Sequence, residues 1–447
     1  DPAAPSFGHR VKLAYQGPLN DTLYEKHANL AILRTSAVTG GEPGAPIAAA
    51  HAAAVKECDY LVVTHPRRLF SIPTNTDAAV NTLLSDMARF ASTRYAVLGY
   101  LDHVGANSIR DSLRDLIKPD RSSGLPALHL SGRQSWAHQM HPAFIEPLQG
   151  YLLIVGEVEV VPSWRETGWD LHWPNWNCTT SEVHLTDLPY ARTTDDEAPS
   201  LIVGRIIGNQ AADLSRALGA SDGFDRSDAL LVSGFDLIDT YEDMFVDFID
   251  DAEELIDSEY SVSKLHWSET PLGKVADFRD GAADTDLIVY QGHGRPDRWA
   301  GLDGTDFAGD AQTPEPTPPI SFGSEHPIVL GWACLTGFYE DHDANAPCGA
   351  SDTGDYGIAE AFFDDGAAVY IGATEVASIP HNIVGAKALF DLWKPDKSIG
   401  YALTAVKRDM LRRHPGDPYW RFWVTEYNLY GDPKYGATEG IRPSLSP

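Results

Sequence analysis

Eight short runs of apolar residues punctuate the chain: Tyr60–His65, Tyr95–Leu101, Tyr151–Gly156, Leu201–Ile207, Ala229–Gly234, Asp286–Gln291, Pro327–Trp332 and Ala367–Gly372. They are nearly continuous rather than alternating. A strand with one wet face alternates, whereas a strand covered on both faces is apolar throughout. Each run therefore predicts an inner strand of a parallel sheet. Between the runs lie stretches with a 3.6-residue period. Asp77–Ala91 places Val80, Leu83, Leu84, Met87 and Phe90 on one stripe, and Asp243–Ser258 places Phe245, Phe248, Ile249, Ala252 and Leu255 on another. Ile399–Arg413 follows the same rule and ends in basic residues, which suit a helix C-terminus. Alternation of strands and helices predicts an α/β fold with crossover connections.

The pattern breaks in three places. Gly40–Pro46 and Thr313–Pro319 (TPEPTPP) read as loops, because proline removes donors and fixes φ. Ser163–Thr180 carries Trp164, Trp169, Trp173 and Trp176 without a period, and reads as a long loop packed by its own rings. A boundary near residue 210 gives an N-terminal subdomain (1–210), a second one (211–440) and a short tail (441–447).

The charge balance narrows the partners. Asp+Glu number 64 and Lys+Arg 34, for a net charge of −30. A field of that sign repels nucleic acid and anionic membranes and attracts cationic peptides. No run approaches the roughly 20 apolar residues of a membrane helix. Asp (43) outnumbers Glu (21), and Arg (23) outnumbers Lys (11), a balance that suits high salt or an exposed, secreted life. The first residues, Asp-Pro-Ala-Ala-Pro-Ser, show no basic-plus-apolar signal pattern. The chain is then either cytosolic or has lost its signal; we expect a secreted or surface protein with the signal removed.

Four cysteines, Cys58, Cys178, Cys334 and Cys348, are too few for a disulfide scaffold, and no CxxC pair exists. Two strand ends carry the chemistry. Asp286-Leu-Ile-Val-Tyr-Gln-Gly-His-Gly places His293 between glycines just past one strand. Ile328-Val-Leu-Gly-Trp-Ala-Cys-Leu-Thr-Gly places Cys334 just past another. Open parallel sheets hold ligands outside the carboxyl ends of their strands. A thiolate nucleophile beside an imidazole that takes and returns its proton is a hydrolytic pair. The N–H groups of Gly294 and Cys334 are candidates for an oxyanion hole. Asp236, past the strand Ala229–Gly234, is a candidate to orient the imidazole.

These segments resemble a gingipain-type cysteine peptidase, a family with a caspase-like fold. The resemblance rests on ordered segments across residues 59–435: Asp59-Tyr-Leu-Val-Val-Thr-His-Pro, Tyr151-Leu-Leu-Ile-Val-Gly-Glu-Val-Glu-Val-Val-Pro, Asp187-Leu-Pro-Tyr with Leu201-Ile-Val-Gly-Arg-Ile, Gly292-His-Gly with Trp299, Ala333-Cys-Leu-Thr-Gly, Ala359-Glu-Ala-Phe, Tyr370-Ile-Gly-Ala-Thr-Glu and Tyr427-Asn-Leu-Tyr-Gly-Asp-Pro. It implies two α/β subdomains with mostly parallel sheets flanked by helices, catalysis residing in the second. It implies His293 as general acid and base, Cys334 as nucleophile and Asp236 as orienting acid. A specificity acid would follow, with Asp239 the best match and Glu242 and Asp243 its neighbours, binding a P1 Arg or Lys. Trp299 and Trp332 join these as substrate-binding candidates. The chemistry requires no cofactor. The family also binds calcium, for which the acid-rich Glu340–Asp355 stretch offers oxygen ligands. The chain departs from the family in a shorter loop after Asp236 and an enlarged loop between His293 and Cys334, which leaves the basic P1 preference open.

Blander readings stand beside these. A cysteine at a strand end is often a small core residue. A bridge from Cys348 to Cys334 or Cys178 would remove the nucleophile or tie down a loop. His65, His326, His342 and His381 read as turn or surface histidines, and Asp341-His-Asp as a solvated loop. Rival functions are an inactive gingipain-like binding or adhesion module, a peptidase with an Asn or Asp preference, and a metal-dependent hydrolase, for which no HExxH motif exists.

Overall fold

A computed structural model of the chain describes residues 10–16, 23–29, 59–94, 96–101, 105–117, 147–166, 184–192, 197–208, 210–220, 224–235, 241–268, 274–309, 318–339 and 357–437. All eight apolar runs become strands, and two more complete a ten-stranded sheet. In chain order these are β1 (Tyr60–Thr64), β2 (Val97–Tyr100), β3 (Tyr151–Val155), β4 (Ile202–Ile206), β5 (Asp228–Ser233), β6 (Ser261–His266), β7 (Leu287–Gln291), β8 (Ile328–Trp332), β9 (Val369–Ala373) and β10 (Tyr427–Gly431). Their spatial order is β6-β5-β7-β8-β9-β10-β4-β3-β1-β2. Strands β6, β5, β7, β8 and β9 are mutually parallel, and so are β4, β3, β1 and β2. Between the two sets lies β10, antiparallel to β9 and bonded to β4 through Tyr430 and Arg205. The fold is α/β with a mostly parallel sheet, and strands of both expected subdomains share it.

Continuous apolarity has the predicted cause. Ile288 and Tyr290 of β7 enter one core, and Leu287 and Val289 enter the other. The same alternation holds in β5, where Leu230 and Val232 face one core and Ala229 and Leu231 the second. Strand β6 escaped the sequence reading because its SVSKLH pattern is half polar. It sits at the sheet edge, pairs only with β5 and leaves much of its surface wet.

Helices cover the sheet. The stripe of α1 (Asp77–Thr93) is buried at all five predicted positions. Helix α2 (Glu242–Ile256) buries Phe245, Phe248, Ile249, Ala252 and Ile256. Leu255, placed on that stripe from the sequence, is instead 40% exposed, because the spacing from Ala252 continues through Ile256. Helices α3 (Ile358–Asp364), α4 (Ile379–Leu392), α5 (Ile399–Arg413) and α6 (Pro418–Glu426) follow. Residues Trp164–Glu166 of the tryptophan-rich stretch form a short strand with His184–Thr186, so its start is not loop. The remaining tryptophans of that stretch, the Gly40–Pro46 loop and residues 313–317 lie outside the described residues.

Two polar clusters lock the architecture. Arg205 of β4 is fully buried and forks onto Asp187 through two 2.7 Å bonds, while its third nitrogen donates to the carbonyls of Gly156 and Val161. A buried charge persists only when paired and hydrogen-bonded, and here every oxygen partner is supplied. The second cluster is Glu157 with Glu360. Glu157 accepts from Gly208 N–H, and Glu360 accepts from Gly357 N–H at the start of α3, both at 2.7 Å. Burial, then the neighbouring Glu360 carboxyl, pushes the Glu157 pKa well above the ordinary glutamate value. Ile358, in the same turn, donates to the Pro296 carbonyl, three residues past His293.

The raised carboxyl sets a testable sign. A group whose folded pKa is raised contributes stability in full below its unfolded pKa and loses it as pH rises through the folded value. Glu157→Gln keeps an oxygen for Gly208 and supplies a donor toward Glu360. Thermal or urea unfolding should show it about 1–3 kcal/mol more stable than wild type at pH 8, the scale of an unsatisfied buried polar group. The gain should vanish near pH 4. A variant equally or less stable at pH 8 would refute the raised Glu157 carboxyl.

Candidate active site

The parallel ladder between β7 and β8 sets Leu287 opposite Ile328 and Gln291 opposite Trp332. His293 and Cys334 each stand two residues past that last pair, so neighbouring strands deliver them to one sheet edge. The two turns touch. Gly292 N–H faces the Trp332 carbonyl at 3.5 Å. A Cβ on Gly294 would lie 2.4 Å from Thr336 Cγ2 and 2.7 Å from the Cys334 carbonyl oxygen. Glycine is required there because the histidine turn lies directly against the cysteine turn.

His293 is half-buried and held from three sides. Its carbonyl accepts from Tyr290 Oη at 2.7 Å and from Ala300 N–H at 2.9 Å. Its ring meets Phe245 edge-on at 5.5 Å and Tyr241 at 6.3 Å. Both aromatics belong to the start of α2, so that helix abuts the imidazole.

Cys334 is a free thiol, 9% exposed. The next residue, Leu335, has φ of 62°, a left-handed conformation that a leucine adopts only when its surroundings impose it. Its N–H donates to the Glu375 carbonyl at 2.9 Å, past the end of β9. Cys334 Sγ faces the Ala377 carbonyl at 3.6 Å. Burial pushes the thiol pKa up to about 12; the Ala377 contact opposes the rise, and Glu426 and Glu375 add to it. Both glutamates are buried. Burial, reinforced by Glu375, raises Glu426 well above its usual range, while nearby Lys407, itself lowered by burial to about 7, pulls the other way. The resting thiol is therefore protonated in an apolar, acid-flanked seat.

The remaining sequence candidates divide. Asp236 and Asp239 lie outside the described residues; β5, which precedes them, ends at Ser233 opposite Gln291. Glu242 and Asp243 form the first turn of α2, between the two aromatics that contact His293. Trp299 and Trp332 are core rings without exposed surface, which corrects their reading as substrate contacts. Trp299 stacks on Tyr290 at 4.4 Å and donates to Tyr370 Oη, while Trp332 stacks on Trp423 at 6.2 Å. Glu340–Asp355, Cys58, Cys178 and Cys348 also lie outside the described residues. Among the described residues no group of three or more His, Cys, Asp or Glu side chains could hold a metal ion. The sequence reading missed Glu375, Ala377 and Glu426, which reach the thiol from separate strand ends and helices, and Lys407, which lies near Glu426. Segments containing Glu375 and Tyr427 were visible as motifs, but spacing alone assigns no neighbour to them.

Residues 54–436 match the family model of peptidase family C25. Among solved structures, the Arg-specific cysteine proteinase gingipain R (RgpB) is similar, with a TM-score of 0.55 and 14% identity over 87% of this chain and 80% of that one. The complex of the pro- and mature domains of RgpB from Porphyromonas gingivalis gives 0.53 and 13%, over 86% and 81%. A structure described as a protease gives 0.52 and 13%, over 86% and 78%. At these identities the likeness is one of fold. No curated protein is similar at a significant level.

The protonated thiol predicts a kinetic signature. Alkylation of the resting protein by iodoacetamide should be slow at pH 7 and should keep rising above about pH 10, where the rate of a free cysteine of pKa about 8.5 has levelled off. A rate that is flat from pH 6 to 9 would mean a thiolate already formed, contrary to the geometry.

Proposed function

The chain belongs to peptidase family C25, and from that membership we propose that it is a cysteine endopeptidase acting through Cys334 and His293. The observation that carries the proposal is the β7–β8 register, which places both residues two positions past one pair at the sheet edge. His293 takes the thiol proton as the sulfur attacks the scissile carbonyl carbon, so ionisation and attack are coupled. This order follows from the raised thiol pKa, because a buried thiolate without its base is costly. The Gly294 and Cys334 N–H groups receive the developing oxyanion. Collapse of the tetrahedral species breaks the C–N bond. His293 returns the proton to the leaving amine, and water then hydrolyses the thioester. Asp236 orients the imidazole. The aromatic contacts of Tyr241 and Phe245 hold its ring meanwhile.

The basic P1 preference draws support from α2. Glu242 and Asp243 stand one turn from His293 contacts, and Asp239 precedes them in the chain. A carboxylate there pairs with a guanidinium or ammonium. The net charge of −30 concentrates cationic substrates around it. A secreted or surface setting and a structural calcium at Glu340–Asp355 belong to the same reading. Among the described residues no helix is long and apolar enough to cross a membrane.

A fluorogenic peptide library varied at P1 tests the proposal, with wild type and Cys334→Ala side by side. Cleavage should be abolished in the variant and concentrated after Arg or Lys in wild type. Cleavage after Asn or Asp would keep the mechanism and discard the acidic pocket. No cleavage by folded wild type, with Cys334 inert to alkylation at every pH, would favour a binding module. Gly294→Ala should fold but lose about 100-fold in kcat/KM, the penalty of displacing reacting groups by an ångström. Retention of full activity in that variant would show that the two turns need not touch.

A further inference from the structure

The segment that seats the thiol continues into an exposed aromatic strip. Ala377, whose carbonyl faces Cys334 Sγ, is followed by Ser378, the N-cap of α4. Ser378 Oγ lies 2.7 Å from His381 Nδ1 in the first turn of that helix. His381 stacks on Tyr419 of α6, with centroids 5.6 Å apart and planes 19° from parallel. Below them Trp420 meets His381 edge-on at 4.7 Å and stacks on His414 at 5.2 Å. Trp420 contacts Trp423, and Trp423 stacks on Trp332, so the ring series runs inward to the strand that carries the nucleophile.

Exposure within this series is selective. Trp420 and Trp423 are buried, as core rings should be. Tyr419 is 36% exposed, although it rests against His381. Val384, one helical turn past His381 and on the same face, is 47% exposed. Among the described residues the only other large hydrophobic side chain so exposed is Leu255. Two of three such residues therefore fall in one strip beside the proposed catalytic edge. The strip is also rigid, since Asp417 caps α6 by accepting from the Tyr419 and Trp420 N–H groups. Burial lowers the His381 pKa, which keeps the ring neutral and suited to stacking near pH 7.

We propose that Tyr419, with His381 and Val384, forms an extended subsite for an aromatic side chain of the peptide substrate, two to four residues from the scissile bond. The reach follows from the chain. Ser378, next to Ala377, caps α4, and His381 stands three residues on, a rise of about 4.5 Å, while extended peptide advances about 3.3 Å per residue. An offset-stacked aromatic side chain would cover the open part of the Tyr419 ring and reach the Val384 methyls. The inference rests on the cysteine-peptidase reading and deepens it.

The test uses peptides with P1 fixed as the residue that the P1 library selects, or Arg if it selects none. Phe or Ala is placed at each position from the second to the fourth on either side of the bond. At one of these positions Phe should raise kcat/KM about tenfold over Ala, about 1.4 kcal/mol of transition-state binding. Tyr419→Ser should reduce that Phe/Ala ratio to within about twofold, and Tyr419→Trp should preserve it. A ratio near one at every position in wild type, or one that survives Tyr419→Ser, would overturn the subsite while leaving the peptidase intact. The same labelled peptides are titrated onto Cys334→Ala by fluorescence anisotropy. If wild type cleaves nothing, the peptidase reading fails separately, and equal affinity for Phe and Ala peptides overturns the subsite as well.

Discussion

One parallel ladder holds the candidate chemistry together. Between β7 and β8 every residue is buried, and the register is pinned because a one-residue slip of β7 would exchange the faces of its five side chains. Ile288 and Tyr290 would then leave one core for the other. The hydrophobic cost of that exchange is what keeps His293 and Cys334 level at the sheet edge. Glycine at position 294 exploits the result, letting the two turns lie against each other with no side chain between them.

The same burial that fixes the register sets the electrostatics. The thiol and Glu426 sit where water is excluded, so charge is disfavoured on each, and the nearby Glu375 adds to both shifts. Lys407 answers the same environment by losing its proton more readily, while its ammonium donates to the Tyr427 carbonyl. On the proposed reading, a thiol kept protonated by burial makes the imidazole, rather than a preformed thiolate, the source of nucleophile activation. Elsewhere a low dielectric is met by full pairing, as in Arg205 with Asp187, where the Asp-Leu-Pro-Tyr and Gly-Arg-Ile segments meet in space. That pair belongs to the scaffold. It shows that a motif can mark a buried structural charge as readily as a catalytic one.

The edge is broader than the pair of residues that defines it. Segments leaving β8 and β9 and the segment entering β10 converge there: Leu335 N–H on the Glu375 carbonyl, Thr374 N–H on the Glu426 carbonyl, and Cys334 Sγ on Ala377. Backbone bonds of this kind couple the Cys334 turn to α4 and α6, and through them to the aromatic strip. The proposed chemistry and the proposed subsite thereby share one frame.

The sequence by itself determined the strands, because burial on both faces demands uninterrupted apolar runs, and it determined the delivery of His293 and Cys334 to strand ends. Hydrophobic period is a local property, readable without neighbours. The half-polar edge strand β6 escaped, since an edge needs no continuous run, and Leu255 was misplaced because a helical stripe alone does not say which flank meets the core. Trp299 and Trp332 show the same limit: both were named as substrate-binding candidates, but packing turned both rings inward. Only the tertiary structure decided that the two halves share one sheet, that Glu157 meets Glu360, and that Glu375 and Glu426 flank the thiol with Lys407 near Glu426. Those neighbours come from distant parts of the chain, and the shifts of Glu426 and Lys407 arise from burial, which no spacing rule records. His381, bland in the sequence, acquired Tyr419 as a partner in the same way, through the crossing of two helices 38 positions apart in the chain.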